Sequence, residues 1–339
     1  MKHILDMTPE QLVTELEALG EKKFRAKQIL EWVWRKGATD FAAMTNLSAF
    51  LRETLSREYC VFGGAVAMES RADDGVVKLL LSLSDGEKVE TVMIPSGTRI
   101  TACVSTQVGC AMGCAFCASG LKGLVRSLTS GEIVEQILQL QGVTGKHITN
   151  VVFMGMGEPL LNYEATIAAV RALIDERRGG ISARKITVST VGIPEGIQRL
   201  AREDIPVTLA ISLHAPNDAL RGELIPINRR YPIDEVIDAA REFFDARGRE
   251  VTLEYTLIRD VNDSNLCAES LGKLAKRLRC NVNLIKYNIV PTLKFEAPSA
   301  EGLEGFAARL RVAGVNIHIR ESRGADSEAA CGQLRLRNT

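Results

Sequence analysis

The chain has no surplus of charge, no long apolar run and no internal repeat, and each absence removes a class of protein. Its 339 residues carry 42 Lys+Arg against 42 Asp+Glu, a formal net charge of zero. That excludes a wholesale polybasic nucleic-acid binder and leaves room only for a local basic face. No stretch reaches the roughly 18 consecutive apolar residues of a membrane span. The N-terminus, MKHILDMTPEQL, has neither the apolar segment nor the cleavage site of an export signal. The expectation is a soluble cytoplasmic protein with no membrane partner. Low-complexity segments are also missing, and 46% hydrophobic with 25% charged residues describes a folded chain, long enough for about two domains.

What is present in quantity is cysteine, eight in all. Without export these thiols stay reduced, so crowding among them points to metal or redox chemistry rather than to crosslinks. Cys110, Cys114 and Cys117 fall within eight residues, with Cys103 just before them, and Cys331 stands near the C-terminus. Cys60, Cys267 and Cys280 read as small, partly buried side chains.

Hydropathy patterning divides the chain. Residues 8–60 are helical: Thr8-Pro9 starts a helix with Leu12, Leu16 and Leu19 at helical spacing, and Gly20 ends it. A second run, 26–34, places Ile29, Trp32 and Val33 together, with one of Trp32 and Trp34 expected in the core. Between about 64 and 94 the period falls to two, and VVKLLLSLSDGEKVETVMI predicts a hairpin turning at Asp85-Gly86. Beyond it, apolar β-rich runs at 100–104, 150–154, 186–189, 207–212, 251–257, 282–287 and 315–319 alternate with amphipathic ones at 131–141, 163–175, 194–202, 233–246, 268–279 and 302–313. Such alternation means a parallel sheet with right-handed crossovers. Seven strands and six helices fall short of a closed eightfold barrel. The expected fold is α/β, a partial (β/α)6-type barrel over 96–325, an accessory helical and β module over 1–95, and a cysteine-bearing tail over 326–339. Chemistry in such barrels gathers at the C-terminal ends of strands.

Cys110-Ala-Met-Gly-Cys114-Ala-Phe-Cys117 follows the first barrel strand with the spacing C-x3-C-x2-C. Three thiolates suit an iron–sulfur cluster; a closed zinc site would want a fourth ligand, and none follows within twenty residues. Three protein ligands leave one iron open. The spacing, Phe116 and the position after a strand resemble the radical S-adenosylmethionine (SAM) superfamily. The resemblance implies one 4Fe–4S cluster on Cys110, Cys114 and Cys117 that chelates SAM and cleaves it to a 5′-deoxyadenosyl radical. Gly155-Met156-Gly157-Glu158-Pro159 is similar to the superfamily's SAM-binding Gly-Glu-Pro element, with Gly157 admitting a ligand to the backbone and Glu158 accepting from its ammonium. Ser189, Ser212, Leu213, His214 and Asn288, at or beyond strand ends, are implied SAM contacts.

Longer words narrow the resemblance. CVSTQVGCAMGCAFCASG, FMGMGEPLLN, ISLHAPND, AACGQL, FRAKQILEWVW and KVETVMIP together resemble the RlmN/Cfr-type RNA adenine methyltransferases over almost the whole chain. Carbon 2 of adenine belongs to an electron-poor amidine and has no acidic proton, so it cannot attack a SAM methyl group, whereas a carbon radical can add to it. The family implies that one SAM methylates Cys331 and a second supplies the radical that activates that methyl, two SAM per turnover. The activated methyl joins the base, Glu90 takes the proton from the substituted carbon, and Cys103 attacks Cys331 to release the RNA with a transient disulfide. Carbon 2 of an adenosine in 23S rRNA, and of a tRNA adenosine beside the anticodon, is the implied target, with a reductant such as flavodoxin as partner and a monomer as the working form. Carbon 8, a Cfr-type activity, is one alternative. Others are a non-catalytic iron–sulfur RNA-binding protein and a radical enzyme acting on a protein or metabolite. Ile289 stands where relatives have proline, the loop VPTLKFEAPSAEG is unusual, and the tail after Gln333 is short. Two local charge excesses could meet phosphate: +5 over 22–36, and +3 over 306–339, where Arg309, Arg311, Arg320, Arg323, Arg335 and Arg337 oppose Glu321, Asp326 and Glu328.

Overall fold

A computed structural model describes residues 1–324 and 329–334; Asp326, Glu328, Arg335 and Arg337, all in the tail, lie outside the described residues. The N-terminal sixty residues hold β1 (Lys2–His3), then α1 (Pro9–Ala18), α2 (Phe24–Trp34) and α3 (Ala49–Glu58), and end on β2 (Tyr59–Cys60), which pairs with β1 in parallel. Thr8 caps α1 in a reciprocal capping box with Gln11, and Gly20 follows with φ +78°, the left-handed conformation that glycine adopts without cost. Leu12, Leu16, Ile29, Val33, Leu51 and Leu55 are buried among one another with Phe41 and Met44. Val33 takes the fully buried position, and Trp32 and Trp34 are both half-buried and pack against this core from its edge. Trp32 donates to Asn46 (2.6 Å) under the Lys36 ammonium.

Three antiparallel strands follow, β3 (Ala65–Arg71), β4 (Val77–Ser82) and β5 (Lys88–Ser96), then β6 (Arg99–Cys103). A small ribbon, β7 (Gln107–Gly109) with β8 (Leu124–Ser127), brackets the cysteine loop. The remaining strands alternate with helices: α4 (Ser130–Thr144), β9 (Asn150–Phe153), α5 (Tyr163–Ile174), β10 (Ile186–Thr190), α6 (Pro194–Arg202), β11 (Thr208–Ser212), α7 (Asp218–Leu224), α8 (Ile233–Arg247), β12 (Val251–Leu257), α9 (Asn265–Ala275), β13 (Cys280–Lys286), α10 (Ala300–Val312) and β14 (Ile317–Arg320). The large sheet has ten strands in the order β14-β13-β12-β11-β10-β9-β6-β5-β4-β3, parallel from β6 through β14 and antiparallel from β3 through β6. The seven parallel strands are those predicted from the apolar runs, and the sheet stays open, as the missing eighth strand requires. The hairpin strands β4 and β5 continue that same sheet, with Val92 opposite Cys103. The short α7 is an addition to the six predicted helices.

Strands buried on both faces read as apolar runs: Val151, Val188, Leu209, Ile211, Leu253, Tyr255 and Leu284 are each fully buried. Glu254 is the exception in its run, a carboxylate at 4% exposure in the middle of β12. Buried charge in a central strand needs partners, and it finds them at the end of the sheet where the cysteines lie. Among the described residues no helix is long and apolar enough to cross a membrane.

Candidate active site

The loop after β7 carries Cys110, Cys114 and Cys117 onto one wall of a cavity of about 970 Å³, counting its open mouth. Gly157, Glu158, Ser189, Ser212, His214, Glu254, Arg320 and Cys331 share that cavity. It opens where β9, β10, β11 and β12 end, as parallel sheets dictate. The three thiols act on one another. Burial pushes Cys110 up to about 11, Cys114 well above the ordinary thiol range and Cys117 upward, while backbone N–H groups of Met112, Ser119 and Gly120 oppose the rise. A buried thiol triad of this kind becomes a thiolate triad only around a strongly cationic centre. Among the described residues no three His, Cys, Asp or Glu side chains form a ready-made site for a single ion.

The implied SAM contacts divide. Gly157 has φ +105°, and a Cβ there would stand 2.7 Å from Gln107 Cβ, so only glycine lets the turn pass. Glu158 is buried, its Oε1 accepting from Leu160 N (3.0 Å) and its Oε2 from Val191 N (2.9 Å). Desolvation pushes it up to about 7. Ser189 and Ser212 face each other with Oγ atoms 3.5 Å apart. His214 accepts Thr256 N–H on Nδ1 (2.9 Å), which leaves the ring proton on Nε2, and burial holds it neutral with its pKa drawn down to about 3. Its backbone has φ +54°, braced by Asn262, which donates to His214 O (2.8 Å) and Thr256 O (2.7 Å). Leu213 is buried behind the wall rather than on it, its N–H given to Glu254 O. Asn288 lines a neighbouring cavity.

That second cavity, about 650 Å³ with its mouth, holds Cys103, Met154, Asn288, Arg320 and Cys331. Cys331 therefore lies on both cavities. Its side chain is open to the cavity space, while desolvation by the surrounding protein pushes the thiol up to about 11 and Arg320 pulls the other way. Cys103 is pushed up to about 12 by burial, raised further by Cys331 and lowered by Arg320. All eight cysteines are free, so the disulfide expected between Cys103 and Cys331 is no resident crosslink of this fold; each thiol has its own place on the shared cavity wall. Glu90 lines neither cavity. Its carboxylate is buried on β5, 3.0 Å from Lys78 Nζ, where a glutamate in an alternating strand would ordinarily be solvated.

Sequence reasoning misses Glu254 altogether and reads Arg320 only as part of a basic stretch, yet both line the cavity. Arg320 Nη1 sits 3.6 Å from Glu254 Oε2 and 3.8 Å from Met154 Sδ. The only signal for Glu254 was an acid inside an apolar run. Of the two basic stretches, Lys22, Lys23 and Lys27 are exposed, whereas Arg311 pairs with Glu304, Arg323 with Glu321, and Arg320 faces the cavities.

Known proteins place this geometry. The family model described as the Radical SAM superfamily matches residues 104–268, and that of the ribosomal RNA large subunit methyltransferase N-terminal domain matches residues 2–61. Over 340 aligned residues the chain is 47% identical to the probable dual-specificity RNA methyltransferase RlmN of Thermotoga neapolitana, spanning 99% of this chain and 98% of that one. The chain belongs to the RlmN family. The corresponding RlmN protein of Rhodopirellula baltica is 45% identical over 98% of this chain and 90% of its own length. The crystal structure of a radical SAM methyltransferase from Sphaerobacter thermophilus superposes with a TM-score of 0.96 at 47% identity, over 99% of each chain. Radical SAM membership implies a 4Fe–4S cluster and SAM, and the donor set fits: three thiols on one wall, polar groups opposite, and an open mouth.

Proposed function

We propose that this chain is an RNA methyltransferase that places a methyl group on carbon 2 of adenosine, in 23S rRNA and in tRNA, by way of S-methylated Cys331. The observation that carries it is the position of Cys331 on both cavities, one shared with Cys110, Cys114 and Cys117 and the other with Cys103. A passive iron–sulfur binding module has no use for a thiol so placed. When bound, the cluster and SAM supply an electron and a hydrogen-abstracting carbon radical.

The chain's own residues do the rest. Cys110, Cys114 and Cys117 would hold the cluster. Ser189, Ser212, neutral His214 and the Gly157 backbone would orient SAM, with Glu158 tying the Gly157 turn to Val191. Cys331 accepts a methyl group as thiolate and later carries it to the base. Cys103, as thiolate, then attacks the Cys331 sulfur: an S–S bond forms as the bond from that sulfur to the transferred carbon breaks. The carbon takes a proton to become the methyl group, and an external reductant returns the disulfide to two thiols; such exchange needs direct access. Glu90, which pairs with Lys78 and lines neither cavity as the chain stands, is the base for the proton of the substituted carbon once bound RNA brings that carbon to it. The target adenosine leaves its stack to reach the cavity, as chemistry on a base requires.

Incubation of anaerobically reconstituted protein with SAM, a low-potential reductant and ribosomal or transfer RNA, followed by nucleoside mass spectrometry, tests this. The expected product is 2-methyladenosine from both RNAs. 8-Methyladenosine would move the assignment to the other carbon, and SAM cleavage without any methylated nucleoside would remove RNA as substrate.

A further inference from the structure

Arg221, on α7, is fully buried and none of the steps above uses it. Its Nε donates to Leu213 O (3.2 Å), Nη1 to Asn228 Oδ1 (2.7 Å), and Nη2 to Val191 O and to Ser212 O (3.4 Å). Every acceptor is neutral, and among the described residues no carboxylate stands within ion-pair distance of it. Asp218 acts on it only at longer range, its Oδ1 already taken by Asn228 Nδ2 and Ile233 N. Burial lowers its pKa to about 10, which still leaves the guanidinium charged at neutral pH.

A buried cation held only by neutral oxygens is costly unless an anion lies close by. The cysteine loop supplies the place for one. α7 docks directly on that loop through Ala115 N to Leu224 O (2.9 Å), between Cys114 and Cys117 in the chain. Three of the four oxygens that Arg221 gathers, those of Val191, Ser212 and Leu213, lie at or just beyond the ends of β10 and β11, next to Ser189 and His214 on the cavity wall. Val191 is held through both its N–H, given to Glu158, and its carbonyl, which accepts from Arg221. An iron–sulfur cluster on three thiolates is net negative and gains one more negative charge when reduced.

We propose that Arg221 is the fixed counter-charge of the iron–sulfur cluster, favouring its reduced form, and the positioning residue that clamps the ends of β10 and β11 around SAM. This rests on the radical SAM reading of the three cysteines. The step it assists is a one-electron reduction by an external low-potential donor. No bond forms or breaks, and no proton need accompany the electron, because the compensating charge is permanent. Net charge around a cluster sets its potential, so loss of this cation drives the potential down.

Redox titration of reconstituted holoprotein, without SAM, followed by optical and electron paramagnetic resonance spectra, tests the proposal. Arg221→Gln is expected to titrate at a more negative potential than the parent, while Arg221→Lys stays closer to it. Arg221→Met, which fills the same volume without charge, is expected to move the potential down as well. It decides the matter should Arg221→Gln fail to fold. A merely structural arginine would leave the potential unmoved in whichever neutral variant folds. Parent-like potentials in Arg221→Gln or Arg221→Met, with an intact cubane spectrum, overturn the counter-charge. A parent protein that forms no cubane overturns the radical SAM reading along with it.

Discussion

The side-chain amide of Asn288 donates to the carbonyl of Cys331 at 3.0 Å, and so joins the loop after β13 to the segment that carries the reactive thiol. The resemblance implies a SAM contact for Asn288, and the second cavity is where the residue stands. Three more bonds fasten the same segment: Ala118 N to Gly332 O (2.9 Å), Ser119 Oγ to Leu334 O (2.9 Å) and Gln333 Nε2 to Ile289 O (2.9 Å). The tail is thus stitched to the cysteine loop on one side and to the β13 loop on the other. Loss of one neutral hydrogen bond costs roughly 1 kcal/mol, and a thiol displaced from its attack position loses about tenfold in rate. Asn288→Ala is expected to slow RNA methylation by about that factor while SAM cleavage without RNA stays near the parent rate. Equal loss in both assays would mean that Asn288 serves SAM itself.

Cys331 and Cys103 give separable phenotypes. Cys331→Ala removes the methyl carrier but none of the cluster ligands, so methylation is expected to vanish while the cubane absorption and uncoupled SAM cleavage persist. Cys103→Ala leaves the carrier and removes the releasing thiol, so RNA is expected to remain bound to protein as a band shifted on a denaturing gel. Methyl transfer by Cys331→Ala, or free product from Cys103→Ala, contradicts these roles.

Much of this architecture is legible before any coordinate. The seven parallel strands show because burial on both faces forces unbroken apolar runs, and the cluster loop shows because three thiols at that spacing have few other uses. What stays hidden is what forms between distant segments. The β3 strand, AVAMESR, lies inside the period-two stretch that begins near 64 but outside the hairpin read there, and it is largely exposed. The seven residues of α7 are too short for a helical period to declare itself. Glu254 and Arg320 meet only because β12 and β14 lie two strands apart in the sheet. The +3 count over 306–339 treats Arg320, Arg323 and Arg311 as one patch, whereas each has its own carboxylate partner. Charge counted along the chain carries no information about such pairing.

The N-terminal basic stretch behaves differently. Lys22, Lys23 and Lys27 are exposed around α2, free to meet phosphate. Each phosphate contact releases counterions, so the logarithm of affinity falls with the logarithm of salt by roughly 0.7 to 0.9 per contact. Replacing all three by Gln is expected to weaken RNA binding and flatten the salt slope by about two units, read by filter binding across a salt series. An unchanged slope takes this face out of the RNA interface.

At Gly157 the turn has no alternative residue. With φ +105° and a Cβ position 2.7 Å from Gln107 Cβ, alanine there adds both backbone strain and a clash, about 1 to 3 kcal/mol from the strain alone. The clash also pushes on Gln107, whose Oε1 accepts the Glu158 N–H at 2.9 Å. Gly157→Ala is expected to lower apoprotein stability in urea by at least that amount and to weaken SAM binding. A variant as stable as the parent would show that the turn can flip to a relaxed conformation.

His214 and Glu158 share one wall of the cavity and respond to acid in opposite senses. His214 is drawn from 6.5 down to about 3, so between those values the unfolded chain binds a proton that the folded chain refuses, and stability falls as acid is added. Glu158 is pushed from 4.5 up to about 7, so over that span the folded chain holds a proton that the unfolded chain releases, and stability rises as acid is added. The two contributions oppose each other between 4.5 and 6.5. Below 4.5 the histidine acts alone, at up to about 1.4 kcal/mol per pH unit. Urea unfolding of the apoprotein across this range, set beside His214→Asn and Glu158→Gln, separates the pair. The parent's margin over His214→Asn is expected to shrink steadily from about pH 6.5 downward. Its margin over Glu158→Gln is expected to shrink in the other direction, as pH rises from about 4.5 to 7. Parallel stability curves for parent and His214→Asn would mean that the imidazole titrates as freely in the folded chain as in water, and that the bond from Thr256 does not hold its tautomer.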